Sequence, residues 1–276
     1  MTPQDNANVP ALKLTWSVEF DEAAGARPSA SFFGNDIGDG VAAGIPGWGN
    51  SEREWYVAEA AATDGAGNLV IRAERTKPET DPEAAARAAY YGGPAEWTSA
   101  KLTTLDRLHF RYGRVEARVK APSGSGTWPA FWMLGTDIRE VPWPACGEID
   151  IFEGRGDFQR RVYGTLHGPG YAGEHGRGLI FEAPEDNDSG FHTFAIDWLP
   201  GQISWSYDGQ VFQTLNAKDL EPNEWVFDHD FYLIVNLAMG GHFTGPIDPS
   251  LNAAEFVIDY IRHYSIDGVG ETKLLV

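Results

Sequence analysis

Three carboxylic acids lie close together in the stretch GEIDIFEG, at positions 147–154. Glu148 and Asp150 are separated by one residue, and Glu153 follows Asp150 after two. Isoleucine and phenylalanine fill the positions between them, so the segment is too apolar for a surface strand of solvated acids. A buried carboxylate without a partner costs several kcal/mol or stays protonated. The cluster therefore indicates chemistry.

Two kinds of chemistry use such a cluster. Glycoside hydrolysis needs one acid to protonate the leaving oxygen, and a second carboxylate to attack the sugar or to activate water. Alternatively, Glu148, Asp150 and Glu153 would join His167 as oxygen and nitrogen ligands of a metal ion. No H-x-x-x-H or comparable ligand run accompanies them, which favours glycoside hydrolysis.

The spacing of the acids poses a problem of strand geometry. Side chains alternate between the two faces of a regular strand, so Glu148 and Asp150 would point one way and Glu153 the other. An extra residue inserted as a β-bulge at Ile151–Phe152 resets the alternation and brings Glu153 to the face of the other two. The glycosidase interpretation therefore predicts a bulge at this position.

Segments that alternate apolar and polar residues run through the chain, and helical periodicity is nearly absent. RVEARVKA (114–121) alternates in this way, and three such runs within 192–215 are joined by short turns, which predicts a two-hairpin meander. The best helical window, 78–91, is short and alanine-rich. The glycine-rich stretch 31–54 is predicted to be a long functional loop rather than a packed strand. We expect one all-β domain over residues 1–276, built as a two-sheet β-sandwich.

Composition excludes several classes of partner. The 276 residues carry a formal net charge of −19, from 21 Lys and Arg against 40 Asp and Glu. No basic run occurs, so nucleic acid, anionic membranes and strongly anionic polysaccharides are poor partners. No apolar run approaches the ~18 residues of a membrane helix. Cys146 is the only cysteine, which excludes an intrachain disulfide.

Aromatic residues make up 13% of the chain, and such rings either fill cores or stack on sugars. In TWPAFWML, Trp128 and Trp132 share one parity, whereas Phe131 and Met133 share the other. If the second pair enters the core, both tryptophans face the site. Trp143, just ahead of the acidic strand, would line the same cleft. Core packing is the alternative for each tryptophan.

Several segments, in a fixed order along nearly the whole chain, match a known family. They are WGNSE (48–52), WTSAKLTT (97–104), FRYGRVEARVK (110–120), TWPAFWMLG (127–135), WPACGEIDIFEGRG (143–156), GTLHGPGY (164–171), VNLAMGG (235–241) and VIDYIRHY (257–264). On these segments the chain resembles glycoside hydrolase family sixteen, and most of all its bacterial laminarinase branch of endo-β-1,3-glucanases. That branch carries E-x-D-x-x-E, as here, whereas the lichenase branch carries E-x-D-x-E. The resemblance implies a jelly-roll (concanavalin A-like) sandwich with an open concave cleft.

The resemblance also implies hydrolysis with retention of anomeric configuration and a role for each acid. Glu148 matches the nucleophile, Asp150 the carboxylate that assists it, and Glu153 the general acid/base; no catalytic cofactor is implied. The residues alone leave the order of the two glutamates open. In a retaining enzyme the two carboxyl groups should lie about 5–5.5 Å apart, and the acid needs a raised pKa.

Two further residues match substrate contacts of the family, and two more stand where the family has substrate contacts of another residue type. Asn50 corresponds to a glucan-contacting asparagine, with a turn-capping role as its alternative, and His167 to a histidine near the acid/base, with a structural role as its alternative. Where many laminarinases carry G-G-N-W, this chain carries Gly-Gly followed by His242 and Phe243. The resemblance therefore predicts that these residues contact sugar.

Members of the family often hold a structural calcium ion on the convex face. Glu19 and Asp259 occupy positions comparable to its carboxylate ligands, and hard oxygen ligands suit calcium. Surface charge is the alternative for both acids. The resemblance therefore predicts a structural Ca²⁺ that takes no part in catalysis.

The function predicted from these observations is a monomeric endo-acting β-1,3-glucanase whose partner is a β-glucan polysaccharide or oligosaccharide. The N-terminus lacks the basic and apolar regions of a signal peptide. Polymeric glucan lies outside the bacterial inner membrane, so we expect an extracellular or periplasmic protein whose signal has been removed. The alternatives are a family hydrolase of mixed-linkage glucan or an agar-type galactan, and a carbohydrate-binding, lectin-like sandwich without catalysis.

Overall fold

The computed structural model describes residues 10–275, and this part of the chain forms 19 β-strands and two short α-helices. In chain order the strands are β1 Leu12–Val18, β2 Gly34–Asp36, β3 Glu54–Tyr56, β4 Ala61–Thr63, β5 Leu69–Arg75, β6 Trp97–Ser99, β7 Lys101–Thr103, β8 Leu108–Arg111, β9 Gly113–Lys120, β10 Thr127–Gly135, β11 Glu148–Glu153, β12 Arg161–His167, β13 Arg177–Glu182, β14 His192–Leu199, β15 Gln202–Tyr207, β16 Gln210–Asn216, β17 Phe231–Met239, β18 Ala253–Ile266 and β19 Glu271–Leu274. The helices are α1 Pro82–Ala86 and α2 Gly241–Thr244.

The strands form two sheets. The ten-stranded sheet has the order β16-β15-β14-β9-β18-β5-β6-β3, with β1 beside β18 and β4 beside β5. The nine-stranded sheet has the order β13-β12-β11-β10-β17-β7-β2, with β8 beside β17 and β19 beside β8. Neighbouring strands β14, β15 and β16 form the predicted two-hairpin meander. The predicted all-β sandwich is therefore confirmed.

One hydrophobic core lies between the sheets and takes side chains from both. Strand β9 alternates as the sequence predicts, with Val115, Ala117 and Val119 buried. The indole of Trp205, on β15 of the ten-stranded sheet, crosses the core and donates a hydrogen bond from Nε1 to the carbonyl oxygen of Asp150, 2.7 Å away on β11. A Cβ at Gly164 of β12 would lie 2.6 Å from this ring, so the absence of a side chain there lets the indole reach β11.

Strand β11 carries the predicted bulge. On the neighbouring strand β10, Phe131 pairs with Phe152 and the next residue, Trp132, pairs with Asp150, so Ile151 has no counterpart. The pairing with β12 shifts at the same place. Ile151 and Phe152 both enter the core, as does Ile149. The bulge keeps the apolar side chains inward while the three acids point away from the core.

The predictions made for the chain's loops hold except for one detail of the stretch 31–54. Within 78–91 the helix α1 covers only five residues, starting after Asp81, whose side chain accepts a hydrogen bond from the Glu83 N–H at 2.9 Å. The stretch 31–54 is mostly irregular, but it contains β2 and the first residue of β3. The β2 residues pair with β7, and this pairing outweighs the poor strand propensity of glycine.

The residues predicted to hold calcium have other partners. The Glu19 carboxylate accepts two hydrogen bonds from Arg262, at 2.7 and 3.0 Å, and Asp259 is paired with Arg118. Arg262 also lowers the pKa of Glu19, mainly through this hydrogen bond. Each carboxylate is thus already neutralised by a guanidinium group. Within residues 10–275 these two acids belong to no group of three converging Asp, Glu, His or Cys side chains, so a calcium ion here would need loop carbonyl oxygens as further ligands, and the calcium site stays a prediction.

Residues 1–9 and 276 lie outside the described part, and with them most of the N-terminal segment to which the signal-peptide expectation refers. In residues 10–275, no helix has the length and apolar character needed to cross a membrane.

The bulge can be tested by its effect on stability. Deleting Ile151 leaves a strand that alternates regularly and pairs with β10 and β12 without a shift, so the three acids stay outside and Phe152 stays in the core. The free energy of unfolding should then fall by roughly 2–5 kcal/mol, the cost of one buried isoleucine side chain. Ile151→Val, the matched control, keeps the bulge and should cost about 1 kcal/mol. Urea denaturation followed by circular dichroism measures both. A deletion variant as stable as Ile151→Val would contradict the assigned register.

Candidate active site

The three acids meet in one small cavity on the outer face of the nine-stranded sheet. The cavity has a volume of about 50 Å³ and lies over β10, β11 and β17. It is lined by Asn50, Glu52, Trp128, Ala130, Trp132, Glu148, Asp150, Glu153 and Asn236. The bulge has therefore placed Glu153 on the same face as Glu148 and Asp150, as predicted.

Glu148 is held by an indole. Its Oε2 accepts a hydrogen bond of 2.6 Å from Nε1 of Trp143, and its Oε1 lies 3.8 Å from Nε2 of His167. Burial raises the pKa of Glu148 to about 8, and the charge of neighbouring Asp150 contributes to the rise. The Trp143 hydrogen bond acts in the opposite direction, because it stabilises the carboxylate form.

Asp150 is the most deeply buried of the three acids, with 2% of its surface exposed. Its Oδ2 lies 3.1 Å from Nε2 of His167. Burial, followed by the charge of Glu153, holds the pKa of Asp150 well above its ordinary value. Asp150 lies between the two glutamates along the strand, so a change in its charge acts on both.

Glu153 is held by a second indole. Its Oε1 accepts a hydrogen bond of 2.9 Å from Nε1 of Trp128. Burial raises the pKa of Glu153 to about 7; a charge on His167 opposes the rise and the charge of Glu148 adds to it. Glu153 can therefore carry a proton close to neutral pH, which a general acid requires.

The tryptophans of β10 face the cavity as predicted. Phe131 and Met133 are buried in the core, whereas Trp128 and Trp132 are half-buried on the opposite face. Trp143 stands at the rim, 46% exposed, with its ring centroid 6.3 Å from that of His167. These indoles combine a surface for stacking with an N–H donor that already has a partner in the site.

His242 and Phe243, which follow β17, point in different directions. The Phe243 ring packs against Trp128, with centroids 4.8 Å apart. His242 turns the other way: its Nε2 lies 2.8 Å from Oγ of Ser51, and it lines a separate cavity of about 480 Å³. His242 therefore does not line the cavity of the three acids, and its contact with sugar stays a prediction; the preceding Gly241 has a left-handed backbone, at φ 87°.

Asn50 lines the cavity of the three acids and is hydrogen-bonded there to Glu52, a residue that the sequence analysis did not identify as part of the site. Its Nδ2 donates to Oε1 of Glu52 at 3.1 Å, and both residues line the cavity. Asn236 was also missed; it lines the cavity and its Oδ1 accepts a hydrogen bond of 2.7 Å from Nε1 of Trp132. The sequence could have indicated Asn236, because it is the one polar side chain in the buried strand FYLIVNLAM apart from a tyrosine hydroxyl.

Among residues 10–275, one group of side chains could hold a metal ion. It comprises Glu148, Asp150 and His167, whose ligand atoms lie within 4.8 Å of one another. Two carboxylate oxygens and one imidazole nitrogen would suit a divalent cation. One oxygen of Glu148 is already taken by Trp143, so the group also serves as a hydrogen-bonded acid cluster without an ion.

Comparison with known proteins places this arrangement in a family. The family model "Glycosyl hydrolases family 16" matches residues 50–262. A Rhodothermus marinus β-glucanase is 35% identical over 268 residues, which cover 92% of this chain and 86% of that protein.

Solved structures agree in fold. The laminarinase catalytic domain of Thermotoga maritima superposes with a TM-score of 0.84 at 42% identity, covering 92% of this chain and 98% of that one. The endo-β-1,3-glucanase of Pyrococcus furiosus also gives a TM-score of 0.84, at 41% identity, covering 92% of this chain and 95% of that one. The predicted jelly-roll sandwich is confirmed by this likeness. The chain belongs to the glycosyl hydrolases of family 16.

Proposed function

We propose that this protein is an endo-β-1,3-glucanase that hydrolyses internal bonds of β-glucan with retention of configuration. The observation that carries the proposal is the convergence of Glu148, Asp150 and Glu153 in one cavity, with indole donors on both glutamates. Members of the family need no catalytic cofactor, and the similar proteins named above include a laminarinase and an endo-β-1,3-glucanase.

In the first step Glu153 protonates the glycosidic oxygen while Glu148 attacks the anomeric carbon. The bond between that carbon and the leaving oxygen breaks, and an ester between the sugar and Glu148 forms. Because Trp143 occupies Oε2 of Glu148, Oε1 is the oxygen free to attack. A neutral indole N–H orients the carboxylate with less loss of nucleophilicity than a paired cation would cause.

In the second step Glu153 removes a proton from water, and the water oxygen displaces Glu148 from the anomeric carbon. The change of role follows from the charges. The negative charge of free Glu148 helps to raise the pKa of Glu153. Esterification removes that charge, so the pKa of Glu153 falls and the residue becomes a base.

Asp150 supports both steps as a neighbour of the two glutamates. Its charge raises the pKa of Glu148, and the charge of Glu153 in turn raises the pKa of Asp150. The three carboxyl groups thus share their protons, since burial disfavours three negative charges in so small a volume. His167, close to Asp150 and Glu148, adds a nitrogen that can balance part of the remaining charge.

A neutral glucan suits the rest of the cleft. Trp128, Trp132 and Trp143 offer faces on which pyranose rings stack, and Asn50 offers an amide for a sugar hydroxyl. Phe243 extends the aromatic surface beside Trp128. The net charge of −19 disfavours a polyanionic glycan.

The proposed cellular location follows from where glucan polymers occur. Glucan polymers lie outside the cytoplasm, so the proposal includes an extracellular or periplasmic location. It also includes a single catalytic domain over residues 1–276 that acts as a monomer. The single core shared by the two sheets supports one domain.

The nucleophile can be tested by substitution. Glu148→Ser removes the attacking carboxylate and should lower kcat on laminarin by at least about a thousandfold, while binding of laminari-oligosaccharides persists. Reducing-end release and isothermal titration calorimetry measure the two quantities. Normal degradation of glucan by this variant would show the mechanism to be wrong. If the wild type binds the oligosaccharide but releases no reducing ends, the lectin-like alternative holds.

The substrate and the stereochemistry can be tested together. Laminarin, lichenan and agarose are digested side by side, and the first-formed anomer is followed by proton NMR. We expect internal cleavage of laminarin with the β-anomer appearing first, because two inversions give retention. Action on lichenan or agarose alone would contradict the β-1,3 specificity. An α-anomer appearing first would contradict the covalent intermediate.

The hydrogen bond between Trp143 and Glu148 predicts a shift in pH dependence. Trp143→Phe removes a donor that stabilises the ionised carboxylate, so the pKa of Glu148 rises. Because that pKa, about 8, already lies above the value of about 7 for Glu153, the alkaline limb of kcat/KM moves up by about 0.7 pH unit for a bond worth about 1 kcal/mol. Trp225→Phe is a matched control, since Trp225 donates to Asp228 at 3.1 Å and neither residue lines the cavity. An unchanged alkaline limb in Trp143→Phe would contradict the assigned role.

A further inference from the structure

Two buried acids outside β11 have no part in the steps above. Glu52 and Glu54 are 6% and 1% exposed, and they lie at the end of the loop before β3 and at the first position of that strand. Glu52 lines the same cavity as the catalytic acids. Two buried acids separated by one residue destabilise the protein unless both carboxyl groups have hydrogen-bond partners. Their partners therefore indicate their role.

Each carboxylate oxygen of Glu52 accepts a hydrogen bond from a different side chain. Its Oε1 accepts from Nδ2 of Asn50 at 3.1 Å, and its Oε2 accepts from the hydroxyl of Tyr56 at 3.2 Å. The same hydroxyl accepts from Nδ2 of Asn236 at 3.1 Å, and Oδ1 of Asn236 accepts from Nε1 of Trp132 at 2.7 Å. Both oxygens of Glu52 therefore accept, and the ionised form best supports the chain that orients Asn50 and Trp132.

Glu54 has a different set of contacts. Its Oε2 accepts a hydrogen bond of 2.7 Å from the N–H of Met239, at the end of β17. Its Oε1 is buried and, within residues 10–275, meets no donor. Burial raises the pKa of Glu54 well above its ordinary value, and the charge of Glu52 and a hydrogen bond between the two carboxyl groups raise it further. An acid in this position gains a partner by keeping its proton and donating it.

The surrounding charges balance one negative charge and not two. Burial raises the pKa of Glu52, and Lys101, which also lies 3.4 Å from Oδ2 of Asp36, is the cation that opposes this rise. The other titratable groups that interact with the pair, Tyr56, Tyr91 and Glu153, contribute no positive charge. A single shared proton therefore leaves the pair with the charge that Lys101 can offset.

We propose that Glu54 is a positioning residue that acts as a neutral carboxylic acid, donating its proton to the carboxylate of Glu52 and so holding Asn50 and Trp132 in place for the sugar. The pair links the loop before β3 to the end of β17, the strand that carries Asn236. Glu54 touches neither the cavity nor the catalytic acids and acts only through Glu52. The sugar-positioning part of this inference rests on the proposed function, whereas the shared proton does not.

Glu54→Gln separates the proton from the contacts. A glutamine can donate from Nε2 to Glu52 and accept from the Met239 N–H with Oε1, and it does so at every pH. In the wild type a raised pKa means that stability is fully present below the unfolded value near 4.5 and is lost as pH rises toward the folded value. The melting temperature of Glu54→Gln relative to wild type should therefore increase by about 3 °C per pH unit in this window.

Calorimetry from pH 5 to 9 measures this difference without any substrate. Glu59→Gln is the matched control, because it makes the same substitution at a side chain that is 73% exposed. A constant difference between Glu54→Gln and the wild type would overturn the shared proton, whatever the enzyme hydrolyses.

Kinetics test the positioning role. Glu54→Leu removes both contacts and should raise KM for laminari-oligosaccharides about tenfold with a smaller effect on kcat, and Glu54→Gln should bring KM back to within about twofold of the wild type. Rescue of KM by glutamine supports the inference. Equal KM values in all three proteins, with the pH-dependent stability difference present, would overturn the positioning of Asn50 and Trp132. If Glu54→Leu does not fold, a KM of Glu54→Gln raised as much as tenfold overturns it.

Discussion

The structure depends on one constraint: strand β11 must fill the core with one face and present three acids on the other. A regular strand cannot do both with this sequence, because Phe152 and Glu153 would then fall on the wrong faces. The extra residue Ile151 resolves the conflict, since it and Phe152 both enter the core. Neighbouring strands accept the distortion through shifts in register on both sides. The chemistry of the cavity is thus a product of core packing.

Indole groups, rather than cations, hold the acids in this cavity. Trp143 and Trp128 each donate to one glutamate of the cavity, Glu148 and Glu153 respectively. Outside the cavity, acids are paired with cations instead. Asp197, for example, accepts hydrogen bonds from two nitrogens of Arg114. A guanidinium group would lower the pKa of a carboxyl group and fix its charge, whereas an indole orients it and leaves a proton exchangeable. The choice of partner separates acids that stabilise from acids that react.

Much of this site could be predicted from the sequence, because it depends on alternation along single strands. The spacing of the acids predicted the bulge, and the parity of Phe131 and Met133 predicted the orientation of the tryptophans on β10. Contacts between distant strands could not be predicted in the same way. Glu52 acquires its role only where its loop meets β17, and His242 is turned from the cavity by a glycine backbone. The arginine partner of Glu19 is 243 residues away in the chain, so local sequence could not reveal it.

The hydrogen bond from Trp205 to the carbonyl oxygen of Asp150 ties the strand that carries the acids to the ten-stranded sheet on the other side of the core. It joins the backbone next to the bulge to β15, across the whole thickness of the core. The position of the bulged backbone that carries the acids is thereby coupled to the separation of the two sheets. Substitutions in the core that change this separation act on the acids without touching them. Larger residues are therefore poorly tolerated at Gly164, where an added Cβ would lie 2.6 Å from the indole of Trp205.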